Sequence, residues 1–241
     1  MATTAADAKA IGEINREWFD SVAGSAYQIH WVRDLVHQIT TFLRENVQWI
    51  VGQPTGSGLR VLDYACGPGI VSMALAPFAS ALRGIDISGG MVEKYNETAR
   101  HLGLSPEQMR GVRGDLLGDG DGEVAVPDGP EFTGFHIAVM SMALHHVADP
   151  AVMIKRLAER LAPGGSLVIV DWVTPEGPVP DHPAAHTVTR HGFSEKEMAE
   201  MFADAGLSDY SFRLHPQRSR VPWGETQQVF FARGRTQSQT V

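Results

Sequence analysis

The chain has 241 residues, 43% of them hydrophobic, and 28 acidic against 20 basic side chains give it a net charge of −8. That length can bury a core without staples, and an acidic chain without a basic stretch argues against a nucleic-acid partner. The single cysteine, Cys66, excludes an intramolecular disulfide and a Cys-based zinc cluster, and the absence of a long apolar run or a basic-then-apolar leader predicts a cytoplasmic protein with no membrane partner.

The first six residues are small, polar and aperiodic and predict a disordered end, as do residues 234–241. From Asp7 to Phe19 the spacing of Ile11, Ile14 and Trp18 predicts an amphipathic helix. Trp31, Leu35, Ile39, Leu43 and Val47 recur every four residues and predict a second helix, ending at the turn-rich connector 52–58. Then the pattern alternates. Strands are predicted at 60–64, 81–86, 109–113, 135–140 and 166–170. Helices are predicted at 70–78, 91–102 and 150–161, the last with Pro150 at its start. Residues 116–134 read as a surface loop, and Pro163-Gly164-Gly165 as a turn. Ser194 and Glu197 have capping-box spacing at the head of a helix to Ala205, with Gly206 as its stop. Two strand-like runs, 210–214 and 227–232, flank a loop containing Pro216, Pro222 and Trp223. Alternating strands and helices predict an α/β fold with a parallel, doubly wound sheet, and residues 7–50 form an N-terminal helical cap.

The strongest chemical signal is Val61-Leu62-Asp63-Tyr64-Ala65-Cys66-Gly67-Pro68-Gly69, a strand running into a turn of small residues and then a helix. Such a turn lets a ligand approach the backbone, and ligands of open α/β sheets bind beyond the carboxyl ends of the strands. Asp86 ends the second predicted strand, where a carboxylate can accept from both hydroxyls of a ribose. Asp115 follows the third and is placed to accept from an adenine amine. A dinucleotide fingerprint fits poorly, because Ser72 stands at the third glycine position and Asp63 would set negative charge beside a pyrophosphate. The same acid suits a cationic ligand.

These residues resemble the class I S-adenosylmethionine (SAM)-dependent methyltransferases, in particular the broad small-molecule group called type 11, over about residues 60–172. The resemblance implies a Rossmann-like, doubly wound seven-stranded sheet with the last strand antiparallel, and one methyltransferase domain with a SAM-binding core at 58–234. It implies that Asp63, Ala65, Cys66, Gly67, Asp86, Ile87, Met91, Gly114, Asp115, Leu116 and Ser141 bind SAM, with Tyr27 from the cap. The product would be S-adenosylhomocysteine. Two positions depart from the family pattern: Ala65 stands where Gly is usual, and His136 where a structural Asp is usual.

The acceptor implied is a small molecule methylated on O, N or S. Methyl transfer from a sulfonium needs alignment above all, and a general base only where the acceptor must lose a proton. His145 and His146, after the fourth strand, are the candidate bases. Trp172, Tyr27 and His30 are candidates to line the acceptor pocket, with His186 and His191. With Asp181, His182, His186 and His191 form a second cluster, read as metal ligands, as a loop over the acceptor or as plain surface; Pro183 disfavours one regular helix there, and no metal is assigned. The expected assembly is a monomer or homodimer. The alternatives are a SAM-binding fold repurposed as a non-catalytic partner or for another reaction, and a nicotinamide enzyme.

Overall fold

The computed structural model describes residues 5–52, 58–118, 127–179, 181–222 and 226–238, with the side chains of residues 5–7 left aside. The expected connector at 53–57, the centre of the loop at 119–126 and Trp223 lie outside the described residues.

The helices are α1 (Ala5–Val22), α2 (His30–Glu45), α3 (Val47–Val51), α4 (Ile70–Leu75), α5 (Gly89–His101), α6 (Pro150–Ala158) and α7 (Glu195–Asp204). The strands are β1 (Leu59–Tyr64), β2 (Ala79–Asp86), β3 (Met109–Arg113), β4 (Phe135–Ser141), β5 (Leu161–Trp172), β6 (Ser208–Leu214), β7 (Ser219–Arg220), β8 (Thr226–Gln227) and β9 (Val229–Arg235). Seven of them form one sheet in the order β3-β2-β1-β4-β5-β9-β6, and β7 and β8 make a separate hairpin. The first five pair in parallel, and β9 lies antiparallel between β5 and β6.

Strand residues alternate between two buried faces, as a sheet covered on both sides requires. Val61, Ile137, Val139, Val168 and Val170 pack with Leu35, Ile39 and Leu43 of α2 and with α3, α4 and α5. Leu62, Ala138, Met140, Leu167 and Ile169 pack under α6 and α7. The stripe of α2 is therefore part of the sheet's own cover. Helix α1 instead crosses the carboxyl edge, reaching α5 through Asp20 and the 185–187 turn through Asn15.

Several expectations need correction. Helix α1 begins at Ala5, inside the end expected to be disordered. The other end is tied down as far as Gln237: Gly234 and Arg235 belong to β9, Thr236 donates its amide to Gly165 O, and Gly164 donates to Gln237 O. Ladder hydrogen bonds outweigh the polar composition there. The 116–134 segment is anchored at both ends by Leu116 and Phe132, which are buried in the α6 and α7 face. The long second helix breaks at Asn46, whose side chain turns back to Phe42 O. The Pro163-Gly164-Gly165 turn is absorbed into β5 as an irregularity, where the register to β4 jumps between Phe135 and Ile137. Gly165 fits because a side chain there would meet Phe135 O at 2.7 Å. The Ser194–Glu197 capping box and the left-handed Gly206 appear as the spacing predicts.

Candidate active site

The glycine-rich turn is held from below by a buried polar stack. Asp63 Oδ2 accepts from Ser72 N (3.0 Å) and Ser72 Oγ (2.8 Å), tying α4 to β1. With its proton engaged there, Ser72 Oγ accepts from Tyr95 Oη at 2.7 Å. The Tyr95 ring fills a slot that exists only because Gly84 and Gly111 lack side chains; a Cβ at either would lie 2.6 or 2.8 Å from the ring. Burial pushes Asp63 up to about 7 against the pull of the two Ser72 bonds.

Above this stack the backbone shapes the turn. Ala65, Gly67 and Gly69 all have positive φ, +54°, +49° and +87°. Cys66 donates its amide to Ile85 O, and its thiol is buried and pushed up by that burial. Asp86 accepts from Gly67 N (2.8 Å) on one oxygen and from Ser88 N (2.9 Å) on the other. Each oxygen keeps lone-pair capacity, and burial raises the group to about 6. Gly114 donates to Asp86 O, and Asp115 Oδ1 accepts from Tyr64 Oη (3.0 Å) and Leu117 N (2.9 Å). Leu116 in turn donates its amide to Tyr64 Oη. Met91 is buried, its amide capped by Ser88 Oγ.

Helix α1 and the short turn after it cover this edge. Tyr27 sets its hydroxyl over Gly67, close enough that a Cβ there would approach it to 2.6 Å. Burial pushes its phenol up, with Asp86, Cys66 and Asp63 adding to the rise. Ile87 faces Gly12 of α1. Asp20 accepts from Ser88 Oγ (2.6 Å) and Gly90 N (2.9 Å). Burial opposes its ionisation, but these donors, with Arg16 and Arg113, hold it below the usual carboxylate range.

Beyond β4 the construction changes. Ser141 ends the strand, and Met142, at φ +54°, donates its amide to Val170 O. His145 is buried, with Nδ1 2.7 Å from Asp171 Oδ1, and donates its backbone amide to Asp171 Oδ2 (3.1 Å). Asp171 has no exposed surface. The His146 ring lies 4.2 Å from that of His145, with Nδ1 2.9 Å from Thr187 O. Burial drives His146 well below its ordinary value, and the neighbouring His145 and His182 lower it further. Asn15 donates to the same Thr187 O (3.1 Å), and Phe19 meets His146 edge-on.

The remaining expected residues scatter. His30 is 87% exposed and pairs with Asp34 on its own helix, so it lines no enclosed pocket. Trp172 is buried in the face under α2. His186 is exposed and edge-on to Trp18 at 5.0 Å; with Asp181 and His182 it lines an open hollow of about 520 Å³. His191 is exposed beside a smaller hollow of about 290 Å³. Among the described residues no group of three or more His, Cys, Asp or Glu is placed to hold a metal ion. His136 accepts the Arg60 amide on Nδ1 (3.0 Å) where β1 shifts register, so it serves as a backbone acceptor at the position of the family's acid.

Asp171, Asp20, Asn15 and Thr187 were not singled out in the sequence. Asp171 carried a signal: a carboxylate closing the apolar run 167–170 must find a buried partner. The other three carried none, because their partners are remote in the chain.

The methyltransferase domain family matches residues 35–211. The chain is 35% identical, over 64% of its length, to an uncharacterized methyltransferase of Schizosaccharomyces pombe, and spans 55% of that protein. It is 27% identical over 49% of its length to the ubiquinone biosynthesis O-methyltransferase of Caulobacter sp. strain K31, spanning 42% of it. The chain thus spans about half the length of these relatives. Among solved structures it resembles the magnesium protoporphyrin IX methyltransferase of Synechocystis with bound SAM, at TM-score 0.64 and 19% identity, covering 94% of this chain and 97% of that one. A 4+2 cyclase matches at TM-score 0.68 and 16% identity, covering 94% and 96%. At such identities these two likenesses concern the fold.

Proposed function

The chain belongs to the methyltransferase domain family, and from that premise we propose that it is a SAM-dependent enzyme that methylates an O, N or S atom of a small molecule. One observation carries the reading. Asp63, Asp86 and Asp115 sit at or just beyond the carboxyl ends of three adjacent strands, and none is ion-paired to a basic side chain among the described residues. Three acids gathered without a cation suit a ligand that brings its own positive charge. The residues fit an adenosyl sulfonium in detail. Asp86 has acceptor capacity left for two hydroxyls, Gly67 itself carries no side chain, so that only the Tyr27 hydroxyl of the cap stands over it, and Ile87, backed by the buried Met91, offers apolar surface for a base.

In this reading Tyr27, Asp63, Ala65, Cys66, Gly67, Asp86, Ile87, Met91, Gly114, Asp115, Leu116 and Ser141 hold or shape the cofactor site. Bound SAM supplies a methyl group on an already activated, cationic sulfur. The protein's part is to orient the acceptor, exclude water beneath α1 and accept a proton where one is lost. Residues 7–50 and 58–234 act as one unit in the cytoplasm, as monomer or homodimer, without nucleic acid. No helix among the described residues is long and apolar enough to cross a membrane.

Calorimetry of the purified chain with SAM and with S-adenosylhomocysteine tests the reading, and absence of binding by both refutes it. A second reading is favoured by the likeness to a 4+2 cyclase: a SAM-holding fold put to another reaction. Binding without S-adenosylhomocysteine release from any acceptor class would favour that one.

A further inference from the structure

We propose that the acceptor atom is a hydroxyl oxygen, that His145 Nε2 is the base that takes its proton, and that Asp171 is the positioning residue that sets the tautomer of that base. The proposal rests on the methyl-transfer reading above and narrows it to one acceptor chemistry.

Tautomers follow from the partners. A carboxylate accepts, so the 2.7 Å contact from Asp171 Oδ1 fixes the proton of His145 on Nδ1 and leaves the lone pair on Nε2. A carbonyl also only accepts, so Thr187 O fixes the proton of His146 on Nδ1 as well. The two rings then differ in one respect. When His145 gains a proton, the imidazolium faces a buried carboxylate. When His146 gains one, it faces only a carbonyl dipole, in a buried site with His145 and His182 beside it. His146 therefore stays neutral at working pH and serves as a hydrogen-bond acceptor. His145 is the ring whose partner is a carboxylate.

The need for such a base identifies the acceptor. A thiol, at about 8.5, is partly ionised near neutral pH, and an amine can attack as its neutral form. A phenol near 10, or an alcohol above it, must lose its proton as the new bond forms. Burying a carboxylate is costly unless it is well bonded, and Asp171 is bonded to the His145 ring and to the His145 and Trp172 amides. Those bonds fix the ring and leave its basic nitrogen on the side away from Asp171, as proton uptake requires. The step balances: the acceptor oxygen forms the C–O bond, the C–S pair returns to sulfur, and the hydroxyl proton passes to Nε2 of His145. Solvent later removes it.

The groups around His145 are Asp171 from β5, His146 beside it and His182 from the following loop, the last backed by Asp181, His186 and His191. Asn15 and Phe19 of α1, against His146, add no charge.

The test has two arms. Nitrogen NMR of the free protein reads the imidazole tautomers directly. The expected result is Nδ1–H at both rings in the wild type; Nε2–H at His145 overturns the proposal. In the second arm phenol, catechol, methyl glucoside, thiophenol, aniline and ethylamine are screened for S-adenosylhomocysteine release. Turnover is expected with hydroxyl probes only. His145→Asn keeps an amide donor to Asp171 in the place of Nδ1 and removes Nε2. It should lower kcat by about 10²- to 10⁴-fold with SAM affinity unchanged. Asp171→Asn should act in the same direction and displace the acid limb of the kcat/KM profile to lower pH, because the imidazolium loses its anion, with His145→Asn standing in where Asp171→Asn does not fold. Turnover of a thiol or amine that survives in His145→Asn, or a silent hydroxyl panel, overturns this proposal and leaves SAM binding standing. A wild-type chain that fails to bind SAM overturns both readings.

Discussion

The two halves of the carboxyl edge are built by different means. At β1, β2 and β3 the ligand-facing surface is mostly backbone turn, with carboxylates pinned by N–H groups such as Gly67 and Ser88 and by the Ser72 and Tyr64 hydroxyls behind them. At β4 and β5 the groups are side chains held by other side chains and by distant carbonyls, as in His145–Asp171 and Asn15–Thr187. A backbone-built half presents the same surface whatever the side chains nearby, which suits a ligand of constant structure. A side-chain-built half can be re-specified by single substitutions, which suits the variable reactant.

The comparison predicts separable losses, the largest in SAM affinity at Asp86. Asp86→Asn keeps one acceptor oxygen and turns an N–H toward an amide that now lacks a partner. Charged hydrogen bonds of this kind are worth about 1.5–3 kcal/mol, or roughly 10- to 100-fold in affinity. Calorimetry should show SAM binding weakened by that factor, while His145→Asn binds normally. Equal losses in both variants would break the division into two halves.

The next effect is one of pH. Asp86 is raised to about 6 and Asp63 to about 7, both mainly by burial, from values near 4 in the unfolded chain. Acids raised on folding bind more protons folded than unfolded in that window, so, while His146, held neutral by burial, contributes in the opposite sense, these two contribute stability that falls as pH rises from about 4 to 7. SAM affinity should do the reverse, because an ionised Asp86 is the better acceptor and a cation favours ionised neighbours. Below pH 6 the affinity should drop by up to about tenfold per unit. The difference in thermal unfolding between the wild type and Asp86→Asn across pH 5–8 isolates the Asp86 contribution, calorimetry gives the affinity slope, and the same sign in both would refute the assignment of this acid.

The contrast also explains what the sequence discloses. Tyr95 under Gly84 and Gly111, Ser72 on Asp63, and Gly67 on Asp86 all sit on consecutive strands and helices of one repeating pattern, so local spacing was enough to find the turn and its acids. The Asp171 carboxylate meets a histidine 26 positions away, and Asn15 reaches a carbonyl 172 positions away. No local pattern encodes such pairs. His30 shows the converse failure: its place at the head of an apolar-striped helix suggested a lining role, but it lies on the solvent side of α2 with Asp34.

Helix α1 joins the halves, which makes Asp20 a way to loosen both at once. Asp20→Ala removes the acceptor for Ser88 Oγ and Gly90 N, while Ser88 still caps Met91. These bonds are largely solvent-accessible, so the loss should be modest, roughly fivefold in SAM affinity at about 1 kcal/mol. Hydrogen exchange should rise across α1 and leave β1 and β4 protected. Unchanged exchange in α1 would show that Asn15 and Phe19 hold the helix alone.

The smallest effect sharpens the claim that the first half is made by backbone. Ala65 adopts φ +54°, a conformation that favours Gly. An L-residue in that region costs about 1–2 kcal/mol, and Gly at the same place gives back roughly 0.5–1 kcal/mol through the freedom it gains in the unfolded chain. Ala65 also packs its methyl against the α6 and α7 face. Ala65→Gly should therefore stabilise the fold by no more than about 1 kcal/mol, a rise of about 2–4 °C in Tm for a chain of this size. SAM affinity should stay within about twofold, because the amides of Cys66 and Gly67 keep their partners Ile85 O and Asp86. A marked gain in affinity would mean that the alanine methyl itself intrudes on the ligand; a loss of stability would mean that the methyl contact outweighs the strained φ.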